Sequence, residues 1–150
     1  MMTHWIEKAI TWAERIPLDI SLLLMRFGVG LIFFRSGQTK VEGFTVTDST
    51  FFLFESEYAL PLIPPVPAAY AATIAEHALP VLLFLGLATR FGALGLLGMT
   101  AVIQTFVYPN LWYDHLFWAA ALILLISRGG GRFSLDHVIR RQRASATIMA

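Results

Sequence analysis

The sequence predicts an all-α integral membrane protein, a four-helix bundle with N- and C-termini cytoplasmic, on three observations. The 150-residue chain is 57% hydrophobic and only 14% charged, with a mean hydropathy of +0.66. Soluble domains are about half apolar and a quarter charged, so this balance leaves too little polar surface for a globule in water. Four apolar runs approach the roughly 20 residues that cross a hydrocarbon core as helix, and basic residues gather on alternate connections. The length suits a single domain, 1–150.

In chain order, THWIEKAITWAERI sets Trp5, Ile6, Ala9, Ile10 and Ala13 at helical spacing, with Glu7, Lys8, Glu14 and Arg15 elsewhere. That pattern predicts an interfacial amphipathic helix over 3–16, anchored by Trp5 and Trp12. Pro17 opens a first span over 18–37, followed by spans over 67–87, 91–108 and 111–127. Thr89 and Arg90 form the whole turn between the second and third, which must then be antiparallel neighbours. Segment 39–66 is aromatic and acidic, too short and too charged to span, and reads as a cap partly helical from Ser49. Its Phe and Tyr content argues against disorder. In the tail, 128–150, Ser134 can cap a short helix with Leu135, Val138 and Ile139 on its apolar side. Lys8, Arg15, Arg90, Arg128, Arg132, Arg140, Arg141 and Arg143 flank one side, against Lys40 on the other connections. This asymmetry puts both termini in the cytoplasm and 39–66 outside.

Several function classes fall away. A net charge of +1 without a basic stripe gives no footprint for nucleic acid. With no cysteine, the chain has no disulfide, Fe–S, thiolate-metal or dithiol chemistry of its own. The first apolar run is longer than a signal core and no A-x-A-like site closes it, so a cleaved leader is not expected. Gly86, Gly92, Gly95 and Gly98 follow no strand and precede no GK[ST], which excludes a phosphate cradle; they read as close helix contacts. SRGGGR is a helix-ending turn. His77 and His115 lie at different depths, which disfavours bis-histidine haem, and no second ligand at i+3 or i+4 marks a metal site.

The chemistry sits in YAATIAEHALPVLLFLGL, where Glu76 and His77 interrupt an apolar run. An ionisable group at mid-bilayer costs about 2.5–3.5 kcal/mol on insertion and needs a partner or a cavity. Glu76 lies about 13 Å from the outer end of its span and Arg26 about 12 Å from the inner end of the first. Across roughly 30 Å of hydrocarbon these depths differ by about 5 Å, so an Arg26–Glu76 ion pair is expected. Glu76→Ala and Arg26→Ala should then do similar damage. The pair is either a clasp that fixes register or part of a proton or ligand site with Glu76 as the proton group. His77 points about 100° away and either relays protons or hydrogen-bonds a neighbouring helix. Arg35, Gln38, Lys40, Gln104, Tyr108, Asp114 and His115 collect toward the outer end, with Glu55 and Glu57 on the cap. Arg35 and Lys40 either snorkel to the interface or rim a cavity. A cluster of this kind beside an apolar interior suits a quinone head group, whose carbonyls accept hydrogen bonds; Lys40, His77, Gln104 and His115 are its candidate ligands.

MRFGVGLIFFRSGQTK, AEHALPVLLFLGLATRFGAL and GGGRFSLD together resemble the DoxX family of small four-helix bacterial inner-membrane proteins. Arg26, Gly30, Gly37 and Lys40 match its first motif. Glu76, Gly86, Leu87 and Arg90 match the second, and Gly129, Gly131, Ser134 and Asp136 the third; Gly130 stands where the family usually has proline. The resemblance runs from Leu22 to Asp136. It implies a small subunit or partner in quinone-linked redox or oxidative-stress work, with quinone as the implied cofactor and redox proteins as partners. A scaffold that recruits soluble proteins through residues 5–15 and the basic tail is the alternative, and carriage of a small solute ranks third, because the inner half offers only Arg26 as a polar step. Oligomeric state is not legible in the sequence.

Overall fold

The computed structural model describes residues 2–58 and 60–148. One position of the 39–66 segment, the last two of the tail and the side chains of residues 2–4, 9, 147 and 148 lie outside the described residues.

Among the described residues the regular structure is helical apart from one small hairpin, with irregular connections between the helices. Helix α1 spans Met2–Glu14, α2 Leu18–Gln38, α3 Asp48–Ser56, α4 Pro65–Leu85, α5 Thr89–Val102, α6 Trp112–Arg128 and α7 Leu135–Ile148. A π-helical turn, Ile103–Val107, continues α5. Strands β1 (Val41–Glu42) and β2 (Thr45–Val46) pair antiparallel around Gly43, a feature the sequence reading of this segment did not contain. Length and apolarity qualify two helical segments to cross a membrane, Pro65–Leu85 and Thr89–Val107, and a third if α1 and α2 count as one span across their 65° bend.

α2, α4, α5 and α6 pack around one apolar core that includes Phe33, Leu83, Leu96, Leu122 and Leu125. α2 packs on α4 and α6, and α5 on α4 and α6. The α4–α5 turn uses Gly86 at φ +65°, with Leu87 and Gly86 amides returning to the carbonyls of Leu82 and Leu83. This Schellman-type ending satisfies carbonyls at the end of α4. A Cβ at Gly86 would stand 2.5 Å from the Ser134 Cβ and 2.7 Å from an Arg26 nitrogen, so the position excludes a side chain twice over.

α3 is capped by the Thr47 hydroxyl, which accepts from the Thr50 amide, and it buries Phe54 against Ala68 and Ala69 of α4. α3 thus lies against the flank of α4. α1 and α7 lie at the opposite end, where Asp19 Oδ1 accepts the Arg132 amide at 2.7 Å.

The register of α2 on α4 decides which polar groups meet. A Cβ on Gly37 would touch Glu76 and His77, and one on Gly30 would touch Phe84. Each step inward on α2 is therefore about one step on α4. Arg26 comes level with roughly residue 88, about 18 Å from Glu76 along the axis. The two helices are staggered, with α2 starting about 15 Å beyond the end of α4.

Candidate functional site

That stagger separates the polar residues into two centres. Arg26, only 1% exposed, donates to four backbone carbonyls: Leu83 at 2.6 Å, Phe84 at 2.7 Å, Phe133 at 2.8 Å and Gly130 at 3.0 Å. The first two are end carbonyls of α4, of which Leu83 also accepts the Gly86 amide, and the others belong to the 129–134 loop. Arg26 thus binds helix end and loop together. The expected Arg26–Glu76 pair does not form, because distances of about 12 and 13 Å counted from opposite helix ends bring two residues near one depth only when the helices share end planes.

Asp136 completes this clasp at the α1/α7 end. Its carboxylate accepts the Ala88 and Thr89 amides at 2.8 and 2.9 Å, and its own amide returns to the Gly86 carbonyl at 2.9 Å. α5 lacks a capping side chain of its own, so a residue 47 positions away serves as its N-cap. Burial raises the Asp136 pKa, but the Thr89 and Ala88 hydrogen bonds and Arg140 outweigh it and hold the group below the usual carboxylate value. A depressed folded pKa adds stability above the unfolded value of about 3.9, which is lost as pH falls through the folded value. Acidifying from pH 7 to pH 3 should therefore lower the thermal midpoint. Asp136→Asn should blunt that dependence, at a cost of about 1 kcal/mol at neutral pH for the weakened cap; circular-dichroism melts of both proteins in mild detergent measure this.

The second centre is a cavity of about 540 Å³ toward the α3 end, between α2, α4, α5 and α6 and walled by Phe54, Tyr58, Leu60 and Ile63. Its surface is mostly apolar, with Ser36, Lys40, Glu76, Tyr58, Tyr108 and His115 as the polar lining. Lys40 is 5% and Glu76 4% exposed, and Lys40 Nζ stands 2.7 Å from Glu76 Oε2. The ammonium also reaches the Ser36 hydroxyl at 3.1 Å and the Ser36 carbonyl at 3.3 Å. Glu76 Oε2 is compensated by charge, with no directed hydrogen bond among the described residues. Pro80, one turn on, lacks the N–H that would bond the Glu76 carbonyl.

His115 Nδ1 lies 2.6 Å from Gln104 Oε1, and the Gln104 amide donates to the Pro109 carbonyl. The amide orientation makes Nδ1 the proton-bearing nitrogen. Nε2 of the neutral ring is then an acceptor on a residue that lines the cavity, with Trp118 edge-on at 4.9 Å. Tyr58 and Tyr108 hydroxyls meet at 3.2 Å near the mouth. Burial, then the bond to Tyr108, pushes the Tyr58 phenol upward, so it stays protonated.

Of the expected ligands, Lys40 and His115 line the cavity, and Gln104 orients His115 from behind. His77 faces α2: its Nδ1 donates to the Thr73 carbonyl at 2.7 Å, and its Nε2 accepts from the Gln38 amide at 3.2 Å. Arg35, Asp114, Glu55 and Glu57 are exposed. Lys40 is a buried ion-pair member, not an interface-seeking cation. Sequence reasoning left out Ser36, Tyr58 and Trp118. For Ser36 a signal existed in its i, i+4 spacing to Lys40. Among the described residues, no three His, Asp or Glu side chains converge as a metal site.

Apolar helices of spanning length, packed around a cavity with a buried ion pair, define a helical membrane protein. The DoxX family model matches residues 21–109, and the chain belongs to the DoxX family. A protein of Haemophilus influenzae described only as uncharacterized is 30% identical over 138 residues, covering 85% of this chain and 89% of that one. No solved structure matches the chain.

Proposed function

We propose that this DoxX-family protein is a multi-pass inner-membrane protein, a four-helix bundle with both termini cytoplasmic. We infer that it acts as a small subunit or partner in a quinone-linked redox or oxidative-stress process, with the outer cavity receiving the quinone head group. The observation that carries this reading is the Lys40–Glu76 pair on the wall of an apolar cavity of about 540 Å³. That volume lies within the range of about 300–1,000 Å³ found for small-molecule sites. A quinone presents carbonyl acceptors and, once reduced, hydroxyl donors. Lys40 supplies positive charge, and whichever of the Tyr58 and Tyr108 hydroxyls accepts from the other keeps a free donor; Glu76 Oε2 and His115 Nε2 supply acceptors. Aromatic walls from Phe33, Phe54 and Trp118 suit a flat ring. Bound there, quinone would supply two-electron carrier chemistry; the chain itself binds, orients and excludes water.

The orientation rests on charge. Arg15, Arg90, Arg128, Arg132, Arg140, Arg141 and Arg143 flank the α1/α7 end, as the positive-inside rule asks of a cytoplasmic face.

The test is quinone content after gentle solubilisation, against a membrane-protein control of matched size. Wild type should retain quinone, and Ala72→Phe, which fills the cavity and spares the ion pair, should lose it. Glu76→Gln should retain about a tenth or less, the loss of one charge-linked contact of roughly 1.4 kcal/mol. Equal quinone in wild type, variants and control would remove the reading.

A further inference from the structure

We propose that α7 is a membrane-surface helix that binds anionic phospholipid head groups, whereas α1 seats at the same interface without needing them. Leu135, Val138, Ile139 and Gln142 recur at i, i+3, i+4 and i+7 and share one face of α7. Leu135 is 42%, Val138 46% and Ile139 37% exposed, and the adjoining Phe133 is 59% exposed. Among the described residues, no other helix packs substantially along α7. Its start, however, is fixed: Ser134 caps it through the His137 amide, and Asp136 ties it to the first amides of α5. The helix therefore leaves the bundle at the end where α6 finishes, and its apolar face is anchored beside the lipid.

Charge selects the occupant. Arg141 and Arg143 fall on either side of the apolar face; Arg140 lies behind it, beside Asp136, which is the only acid on α7 and is turned to the α5 amides. A basic amphipathic helix with an apolar stripe matches a bilayer surface bearing negative head groups. α1 provides the internal contrast. Trp5, Ile6, Ile10 and Trp12 are all more than half exposed, yet Glu7 and Glu14 balance Lys8 and Arg15. Its attachment is apolar and carries no preference for lipid charge.

The chain has no cysteine, so single nitroxide labels at Ile10→Cys and Val138→Cys report depth directly. Each labelled full-length protein is reconstituted in phosphatidylcholine vesicles with and without phosphatidylglycerol, and accessibility to oxygen and to a water-soluble nickel chelate is measured. The Val138 label should lie in the acyl region with anionic lipid and move into water without it, or in 1 M salt, where screening shortens to about 3 Å. The Ile10 label should stay buried throughout. Each flanking arginine exchanged for glutamine should weaken the inserted state about fivefold, so Arg141→Gln/Arg143→Gln should weaken it roughly 25-fold; the Ile10 label in that variant checks that the bundle is intact. A Val138 label in water under every composition, as a docking surface for soluble protein would give, overturns the proposal. So does a Val138 label equally buried with and without anionic lipid.

Discussion

Arg26→Ala is expected to lower the thermal midpoint in mild detergent by roughly 10 °C, on the order of 3–4 kcal/mol. The guanidinium is the shared donor for Leu83, Phe84, Gly130 and Phe133; its removal takes this donor from the Phe84, Gly130 and Phe133 carbonyls and leaves Leu83 with the Gly86 amide alone. A buried group left without its partner costs about 1–3 kcal/mol, and the four losses overlap because one loop carries two of them. Arg26→Lys should recover only a small part, since an ammonium has three donors and no planar fork to span the α4 end and the 129–134 loop. The loss should be concentrated at the α1/α7 end, as faster hydrogen exchange of the Ala88, Thr89 and Asp136 amides. An unchanged melt would show that this guanidinium is dispensable.

Lys40→Met is expected to be nearly as damaging, by about 3 kcal/mol, and to act at the other end of the molecule. It leaves Glu76 buried without its ammonium, and breaking a buried pair from one side typically costs about 3–5 kcal/mol. Lys40 also carries structure through its backbone: its carbonyl accepts the Thr47 amide and the Thr50 hydroxyl, both at 3.1 Å. Those bonds survive the substitution, so the 41–56 region should keep its fold while the cavity loses polarity. Limited proteolysis of that region separates a local electrostatic loss from unfolding of the cap. A Lys40→Met protein that melts with wild type would contradict the pairing.

Much of this was legible in the sequence, for physical reasons that also mark where it stopped. Runs of apolar residues bounded by Pro17, Gly86 and Gly129 locate α2, α4 and α6 to within about two residues of the ends read from composition, and α5 only when its π-helical continuation is included, because lipid-facing and core-facing positions are both apolar; the turn before α5 is 86–88, and Thr89 and Arg90 already belong to the helix. The hairpin 41–46 left no comparable signal: VEGFTV holds two residues per strand, too few for an alternation. Glu76 stood out as needing a partner, but its partner was misassigned. Depth counted from helix ends treats the ends as coplanar, and the α2–α4 stagger moves Arg26 about 18 Å away. A better signal lay in α2 itself. Leu22, Arg26, Val29, Phe33 and Gly37 recur every three or four residues as its buried stripe, and Lys40 continues it. The Gly30 and Gly37 contacts, which fix the register, depend on how closely two backbones approach, and that is a property of the folded pair.

The claim on which the rest stands is that Glu76 belongs with Lys40 on the cavity wall and that Arg26 belongs to a separate clasp. Two double-mutant cycles measured on the same preparation test it directly, one on Lys40→Met with Glu76→Gln and one on Arg26→Leu with Glu76→Gln. The account predicts a coupling of about 2 kcal/mol or more between positions 40 and 76, with the double variant recovering much of the single losses, and additivity within about 0.5 kcal/mol between positions 26 and 76. Strong coupling of Arg26 to Glu76, with Lys40 and Glu76 additive, would contradict it.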